Sequence, residues 1–226
     1  MTRGRWTRAA AAALALGVAC ALLPVLEDTK GQQASPSVAA ANALRPVAAF
    51  AAIADDRARA IALFQEAGKV IAHPRCMNCH PAGDSPTQTE RMQPHLPLVV
   101  RGADGHGAPG MMCATCHHGA NYDIAGVPGH ANWHLAPQSM GWQGRALPQI
   151  CEQIKDPARN GGRDLAALVQ HMAEDSLVGW AWSPGAGRAP APGTQAEFGA
   201  LVRAWAAAVT ALKIGRDFDD CVPAAV

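Results

Sequence analysis

The chain has 226 residues and a formal net charge of +1, and 49% of its residues are hydrophobic. Its charges are mixed along the chain without a basic stripe or interleaved aromatic residues, which excludes a nucleic-acid-binding protein. The 22 glycines and 17 prolines, beside only 5% aromatic residues, predict much loop and an apolar core that is thin for this length. Another group is therefore expected to fill part of the core.

Residues 1–26 have the features of an export signal. Arg3, Arg5 and Arg8 form a positive segment, and an uncharged run rich in Ala, Leu and Val follows over residues 9–26. This pattern predicts a secretory signal and a periplasmic protein. The apolar run is also near the lower length limit for spanning a bilayer, so an uncleaved N-terminal membrane anchor is the alternative.

The next two segments differ in composition. Residues 27–54 are rich in Ala, Gln, Ser and Pro with little periodicity, which predicts a linker. Residues 55–226 are predicted to form one domain. It opens with a helix that starts at Asp55 and Asp56 and continues with apolar residues at helical spacing up to His73. This helix leads directly into the first cysteine pair.

The rest of the domain alternates between loops and helices. Residues 81–144 contain many Gly and Pro residues and no run long enough to predict a helix or strand. Helices are predicted at 148–155 and 163–174, and a last helix opens at a capping box made by Thr194 and Glu197. The predicted fold class is mostly α with long Gly/Pro-rich loops.

Two C-x-x-C-H motifs, at residues 76–80 and 113–117, match the attachment pattern of c-type haem. Two thiols separated by two residues reach the two vinyl groups of one porphyrin, and the next residue then lies under the iron. The motifs thus predict two covalently bound c-type haems. The predicted thioether residues are Cys76, Cys79, Cys113 and Cys116, and the predicted proximal iron ligands are His80 and His117.

Zinc and redox sites also use C-x-x-C pairs. A four-cysteine zinc site leaves the histidine after each pair unexplained, and the 33 residues between Cys79 and Cys113 exceed the usual spacer. A thioredoxin-like pair requires a βαβ context, which the sequence lacks. Haem also accounts for the thin core, because a porphyrin is a large apolar plate around which a loop-rich segment can pack. Haem is therefore the preferred interpretation.

The sequence resembles the exported bacterial di-haem cytochromes c known as isoquinoline 1-oxidoreductase subunit-like. The resemblance covers most of the chain after about residue 55, and the segments that carry it are His73 to His80, Pro94-His95, Trp133-His134, Lys155 to Pro157 and Trp180 to Trp182. It implies electron transfer beside a molybdenum-containing hydroxylase. The chain itself has no molybdenum- or flavin-binding pattern, so we carry over the haem residues and not the substrate.

The sequence does not assign the sixth ligand of either iron. We rank His134 first, because it lies between apolar neighbours in a loop, and His95 second, because prolines flank it closely. The other distal candidates are His118, His171 and Met140; a methionine ligand would raise the reduction potential relative to a second histidine. Arginines beside glycines are candidate partners for haem propionates: Arg101, Arg145, Arg163 and Arg188.

Two cysteines lie outside the motifs. Cys151 and Cys221 fall in separate segments, and an oxidising compartment favours a disulfide between them over two unpaired thiols. No catalytic residue is predicted. The preferred function is electron transfer between a dehydrogenase or hydroxylase donor and a downstream acceptor protein. The alternative is a di-haem peroxidase-like enzyme, in which one iron keeps an open distal site.

Overall fold

The computed structural model of the protein describes residues 42–212 and Cys221. The predicted export signal or anchor at residues 1–26, and residues 27–41 of the predicted linker, lie outside the described residues. Within the part that is described, no helix is long and apolar enough to cross a membrane.

The secondary structure of the described residues consists mainly of helices and loops. The α-helices are α1 (Asp56–Ile71), α2 (Pro74–Met77), α3 (Leu147–Lys155), α4 (Leu165–Glu174), α5 (Ser176–Gly179) and α6 (Gln195–Ala211). Short 3-10 helices lie at Val47–Phe50, Cys113–Thr115, Asp123–Ala125, Gln138–Met140 and Trp180–Trp182. Two antiparallel hairpins pair strand β1 (Thr87–Gln88) with β2 (Gln93–Pro94) and β3 (Gly107–Ala108) with β4 (Met111–Met112). These strands lie within residues 81–144, where the sequence predicted no helix or strand.

The ends of the longer helices follow from side-chain caps, and the helices predicted from the sequence are confirmed. The Asp55 carboxylate caps α1. At the start of α6 the Thr194 amide donates to the Glu197 carboxylate at 2.8 Å, and the Glu197 amide donates to the Thr194 hydroxyl at 3.2 Å. Helix α4 begins two residues later than predicted, because Asp164 is its N-cap.

Helix α6 lies at the centre of the apolar core and packs against both α1 and α4. The Phe64 ring of α1 contacts the Trp205 ring of α6 with centroids 4.9 Å apart. Leu168 and Met172 of α4 and Leu201 of α6 are also buried in this cluster. A row of large apolar side chains on one helix face stabilises such packing by removing apolar area from water.

Residues 42–54, expected to be linker, instead belong to the fold. Leu44 is buried, as is Phe50 at the end of the short Val47–Phe50 helix. The Arg45 amide donates to the buried Glu66 carboxylate of α1 at 2.9 Å. The segment has no regular period because single anchoring residues, rather than one face of a regular element, fix it to the core.

A disulfide joins Cys151 of α3 to Cys221, which are 70 residues apart in sequence. Closing a loop of this length restricts the unfolded chain, a contribution of about 4 kcal/mol in the chain-entropy model. We expect the double variant C151S/C221S to lose about this much unfolding free energy in urea titrations. Thiol reductant should destabilise the wild type equally and leave the variant unchanged; equal urea midpoints for variant and wild type would contradict the prediction.

Candidate functional site

Each C-x-x-C-H motif borders its own cavity. Cavity A, of about 140 Å³, is lined by Cys76, Cys79 and His80 among mainly apolar residues. Cavity B, of about 650 Å³, is lined by Cys113, Cys116 and His117 of the second motif. The volume of cavity B lies within the range of typical small-molecule and cofactor sites, and cavity A is smaller than that range.

Helix α2 positions the first cysteine pair. Proline at its first position and the His73 side chain, which accepts from the Arg75 amide at 3.2 Å, begin the helix. Cys76 and Cys79, three residues apart, both lie on the wall of cavity A. Burial raises the pKa of the Cys76 thiol to about 12 and that of Cys79 to about 11. Reactive redox cysteines have lowered thiol pKa values, so this pair lacks their environment.

His80 is held in one tautomer. Its Nδ1–H donates to the Met140 carbonyl at 2.8 Å, and its ring stacks on Trp142 with centroids 3.5 Å apart and planes within 8°. Burial lowers the pKa of the imidazole to about 3, so the ring is neutral at physiological pH. With the proton on Nδ1, the lone pair lies on Nε2, which has no hydrogen-bond partner among the described residues. This is the form of histidine that ligates a metal.

His117 repeats the arrangement in cavity B. Its Nδ1–H donates to the Pro128 carbonyl at 2.7 Å, and its ring stacks on Trp133 with centroids 4.7 Å apart and planes within 11°. Burial lowers the pKa of His117. The two motif histidines therefore share a carbonyl partner for Nδ1, a stacked tryptophan and a neutral ring.

His95 is the second histidine of cavity B and faces His117. The two ring centroids are 5.9 Å apart, and the planes are inclined by 58°. The Nδ1–H of His95 donates to the Pro97 carbonyl at 2.8 Å, which again leaves the lone pair on Nε2. The structure therefore brings together one motif histidine and one of the predicted distal candidates.

His171, on α4, lines cavity A together with His80. Its Nδ1 lies 3.2 Å from the Asp175 carboxylate, which also caps α5. Burial and the charge of Arg163 lower the pKa of His171, and a positive charge on His171 in turn lowers the pKa of His80. The two imidazoles are thus close enough across cavity A to interact electrostatically.

The other three distal candidates differ in position. His134 lines both cavities, and its ring stacks on His106 with centroids 5.0 Å apart. Met140 is buried and lines cavity A, and its backbone carbonyl accepts from the Nδ1–H of His80. His118 is exposed and lines neither cavity.

The two cavities adjoin each other. Their shared wall consists of Arg75, Cys79, Trp133, His134 and Trp180. The Trp133 and Trp180 rings meet edge to face with centroids 4.9 Å apart. The indole N–H of Trp180 donates to an asparagine side chain at 2.9 Å, which fixes its orientation. Ligands in the two cavities would therefore be neighbours.

The four arginines singled out in the sequence divide into two pairs. Arg163 lines cavity A and Arg188 lines cavity B. Arg101 and Arg145 line neither cavity. Arg101 joins two loops, because its guanidinium donates to the carbonyls of Ala136 and Gly83. Arg145 donates to the carbonyl of Gly141, four residues earlier. Sequence reasoning missed Arg75, which is buried on the shared wall. The sequence feature that could have indicated its role is its position directly before Cys76, the first motif cysteine.

The motif cysteines do not form a conventional metal centre. Within residues 42–212 and Cys221, no three His, Cys, Asp or Glu side chains are grouped as ligands of a metal ion. All four motif cysteines have free thiols. A tetrahedral zinc site requires its four ligands to converge on one point, so this geometry argues against a four-cysteine zinc site.

Comparison of the chain with protein-family models, with curated proteins and with solved structures found no match.

Proposed function

We propose that the protein is an exported, periplasmic di-haem cytochrome c that transfers electrons between redox proteins. Cys76 and Cys79 would hold one haem in cavity A, and Cys113 and Cys116 would hold a second haem in cavity B. The export signal or anchor predicted at residues 1–26 supports the location, because covalent haem attachment and a disulfide both suit an oxidising compartment.

The observation that carries the proposal is the second histidine in each cavity. The His95 and His117 ring centroids are 5.9 Å apart, so both imidazoles would be able to hold one iron ion, with each metal–nitrogen bond about 2 Å long. Both rings also keep the lone pair on Nε2. We assign His95 as the distal ligand of the second haem.

We assign His171 as the distal ligand of the first haem. It lies in the same cavity as His80, and its Nδ1 is held by a carboxylate, an arrangement that orients many metal-binding histidines. Met140 is the weaker candidate, because its backbone already contacts His80 on the proximal side. His134 is the weaker candidate in both cavities, because it belongs to the wall between them.

The cavity walls also fit the rest of a haem. The lining is mainly apolar, as a porphyrin plate requires, and each cavity includes an arginine that can pair with a carboxylate: Arg163 in A and Arg188 in B. Two buried donors beside cavity A, Arg75 Nε and Trp142 Nε1, have no partner among the described residues. Unmatched buried donors of this kind are expected where a polar ligand group completes the site.

A haem bound in each cavity supplies a one-electron couple between iron(III) and iron(II). The residues set how that couple is used. His80 with His171, and His117 with His95, would each hold one haem iron through two imidazoles, which would leave no site for peroxide and favours a carrier over the peroxidase-like alternative. Trp133 and Trp180, whose rings meet edge to face on the shared wall, would keep the two haems adjacent.

Cavity B is the expected site of electron exchange with protein partners. Its motif includes the exposed Cys116, and the neighbouring Met111 and Met112 are each 40% exposed. Electrons would come from a dehydrogenase or a molybdenum-type hydroxylase and leave to a downstream acceptor protein. Gentle purification from the native host should retain a large redox partner; a chain that purifies alone would count against the hydroxylase association.

The test of the proposed function is the spin state and reactivity of the purified holoprotein. EPR spectra of the oxidised protein and optical spectra of both oxidation states should show two low-spin haems. Carbon monoxide should not change the spectrum of the reduced protein, nor peroxide that of the oxidised protein, because both sixth positions would be filled. One high-spin haem that binds carbon monoxide would overturn the carrier assignment and support the enzyme alternative.

A further inference from the structure

Arg75 is a buried cation with an unmatched donor. Its side chain is 3% exposed, and its ion-pair partner, the Glu90 carboxylate, is 45% exposed. The same Glu90 oxygen also accepts from the Ala189 amide at 3.1 Å. The Nε–H of Arg75 has no acceptor among the described residues. A charged group's donor that is buried and unpaired loses its hydrogen bond to water without replacing it, so an acceptor is expected at this point.

The position of Arg75 identifies where that acceptor comes from. The side chain lies on the wall that cavities A and B share. In cavity B it is joined by the half-buried Arg188, whose pKa is lowered first by burial and then by the positive charge of Arg75, against the opposing charges of Asp123 and Glu90. Glu90 pairs with a terminal nitrogen of Arg75 and leaves its Nε–H unmatched. Because that donor belongs to a cation on a cavity wall, an anionic group of the cavity's ligand is the acceptor that fits it best.

We propose that Arg75 is a shared anion-binding residue: its guanidinium binds a haem carboxylate at the wall between the cavities and tunes the reduction potentials of both haems. The proposal rests on the proposed function, since it requires a haem in each cavity. A guanidinium suits this role because its planar fork matches the two oxygens of a carboxylate.

The charge of Arg75 has a definite effect on electron uptake. A fixed positive charge in a low-dielectric wall stabilises the iron after it has gained an electron, which raises the reduction potential. Glu90 carries a negative charge beside Arg75 and should lower the reduction potential. Because the wall is common to both cavities, both haems should respond to each residue in the same direction.

The experiment measures the two reduction potentials of the holoprotein by spectroelectrochemistry in charge-removing variants. Arg75→Gln should lower both potentials, and Glu90→Gln should raise both, while covalent haem content and the low-spin spectra remain those of the wild type. Arg59→Gln is the matched control, because it removes the same charge about 18 Å along α1 from the cavity residue Ile71. It should shift neither potential.

Opposite shifts from the two variants would distinguish a charge effect from a structural defect, which would move both variants in one direction. Shifts of the same sign, a shift in one haem alone, or an Arg75→Gln effect no larger than that of Arg59→Gln would overturn the inference. If Arg75→Gln does not fold, Glu90→Gln and Arg75→Lys replace it in the test. Glu90→Gln must raise both reduction potentials. Arg75→Lys, which keeps the positive charge, must shift both potentials less than Glu90→Gln does.

Failure of this inference is distinguishable from failure of the proposed function. A wild-type protein without covalent haem would overturn both. A wild-type protein with two low-spin haems whose potentials ignore Arg75 and Glu90 would overturn the inference about Arg75 and leave the carrier function in place.

Discussion

Replacing His95 or His171 by alanine is expected to convert one of the two haems from low spin to high spin. Each substitution removes the proposed distal ligand and leaves the covalent and proximal bonds of that haem in place. The affected iron should then bind carbon monoxide, while the other haem should keep its low-spin spectrum. EPR and optical spectra of each variant, with and without carbon monoxide, measure both effects.

Two control variants make this prediction specific. His118→Ala removes an exposed histidine that lines neither cavity, and its spectra should match the wild type. His134→Ala removes the candidate that the sequence ranks first, and it should also leave both haems low spin. A high-spin haem in His134→Ala, together with two low-spin haems in His95→Ala or His171→Ala, would contradict our ligand assignment.

Replacing Cys113 and Cys116 together by serine is expected to halve the covalent haem content and to unfold the loops around cavity B. In the described structure these loops have little regular structure of their own beyond two short hairpins, β1 with β2 and β3 with β4, and the 3-10 helices Cys113–Thr115 and Asp123–Ala125. We expect the haem to be their core, so that its loss removes the contacts that order them. Hydrogen exchange should show lost protection over about residues 87–135 and retained protection in the helical core.

The control for this variant is C151S/C221S, which removes two cysteines outside the motifs. It should keep two haems per chain and lose stability only through the missing disulfide. A C113S/C116S protein that still carries two covalent haems, or that keeps full protection over residues 87–135, would show that the second motif does not hold a haem that orders these loops.

Local sequence predicted the helices well, because the signals that start them are local. The Asp55 cap and the Thr194–Glu197 capping box each satisfy donors within one turn, whatever the rest of the chain does. The position of residues 42–54 could not be predicted this way, since Leu44 and Phe50 are anchored by a core that other segments build.

Which histidine shares a cavity with each motif histidine could not be predicted from local sequence. His171 lies 91 positions after His80 and reaches cavity A because α4 packs on α6, which is a tertiary contact. The sequence ranked His95 below His134, and only the tertiary fold brings its ring to 5.9 Å from that of His117. Arg75 was not among the predicted site residues, because charged side chains are seldom buried; no local pattern encodes its place on the wall between two cavities.

Intact-protein mass spectrometry of the denatured holoprotein shows whether both C-x-x-C-H motifs bind haem covalently. Expression in a host that matures c-type cytochromes should give a chain that retains two haem masses, with a pyridine haemochrome spectrum of the c type. The four motif cysteines should then resist alkylation after unfolding and reduction. A chain at its unmodified mass, with Cys76, Cys79, Cys113 and Cys116 all alkylated, would show that neither motif binds haem.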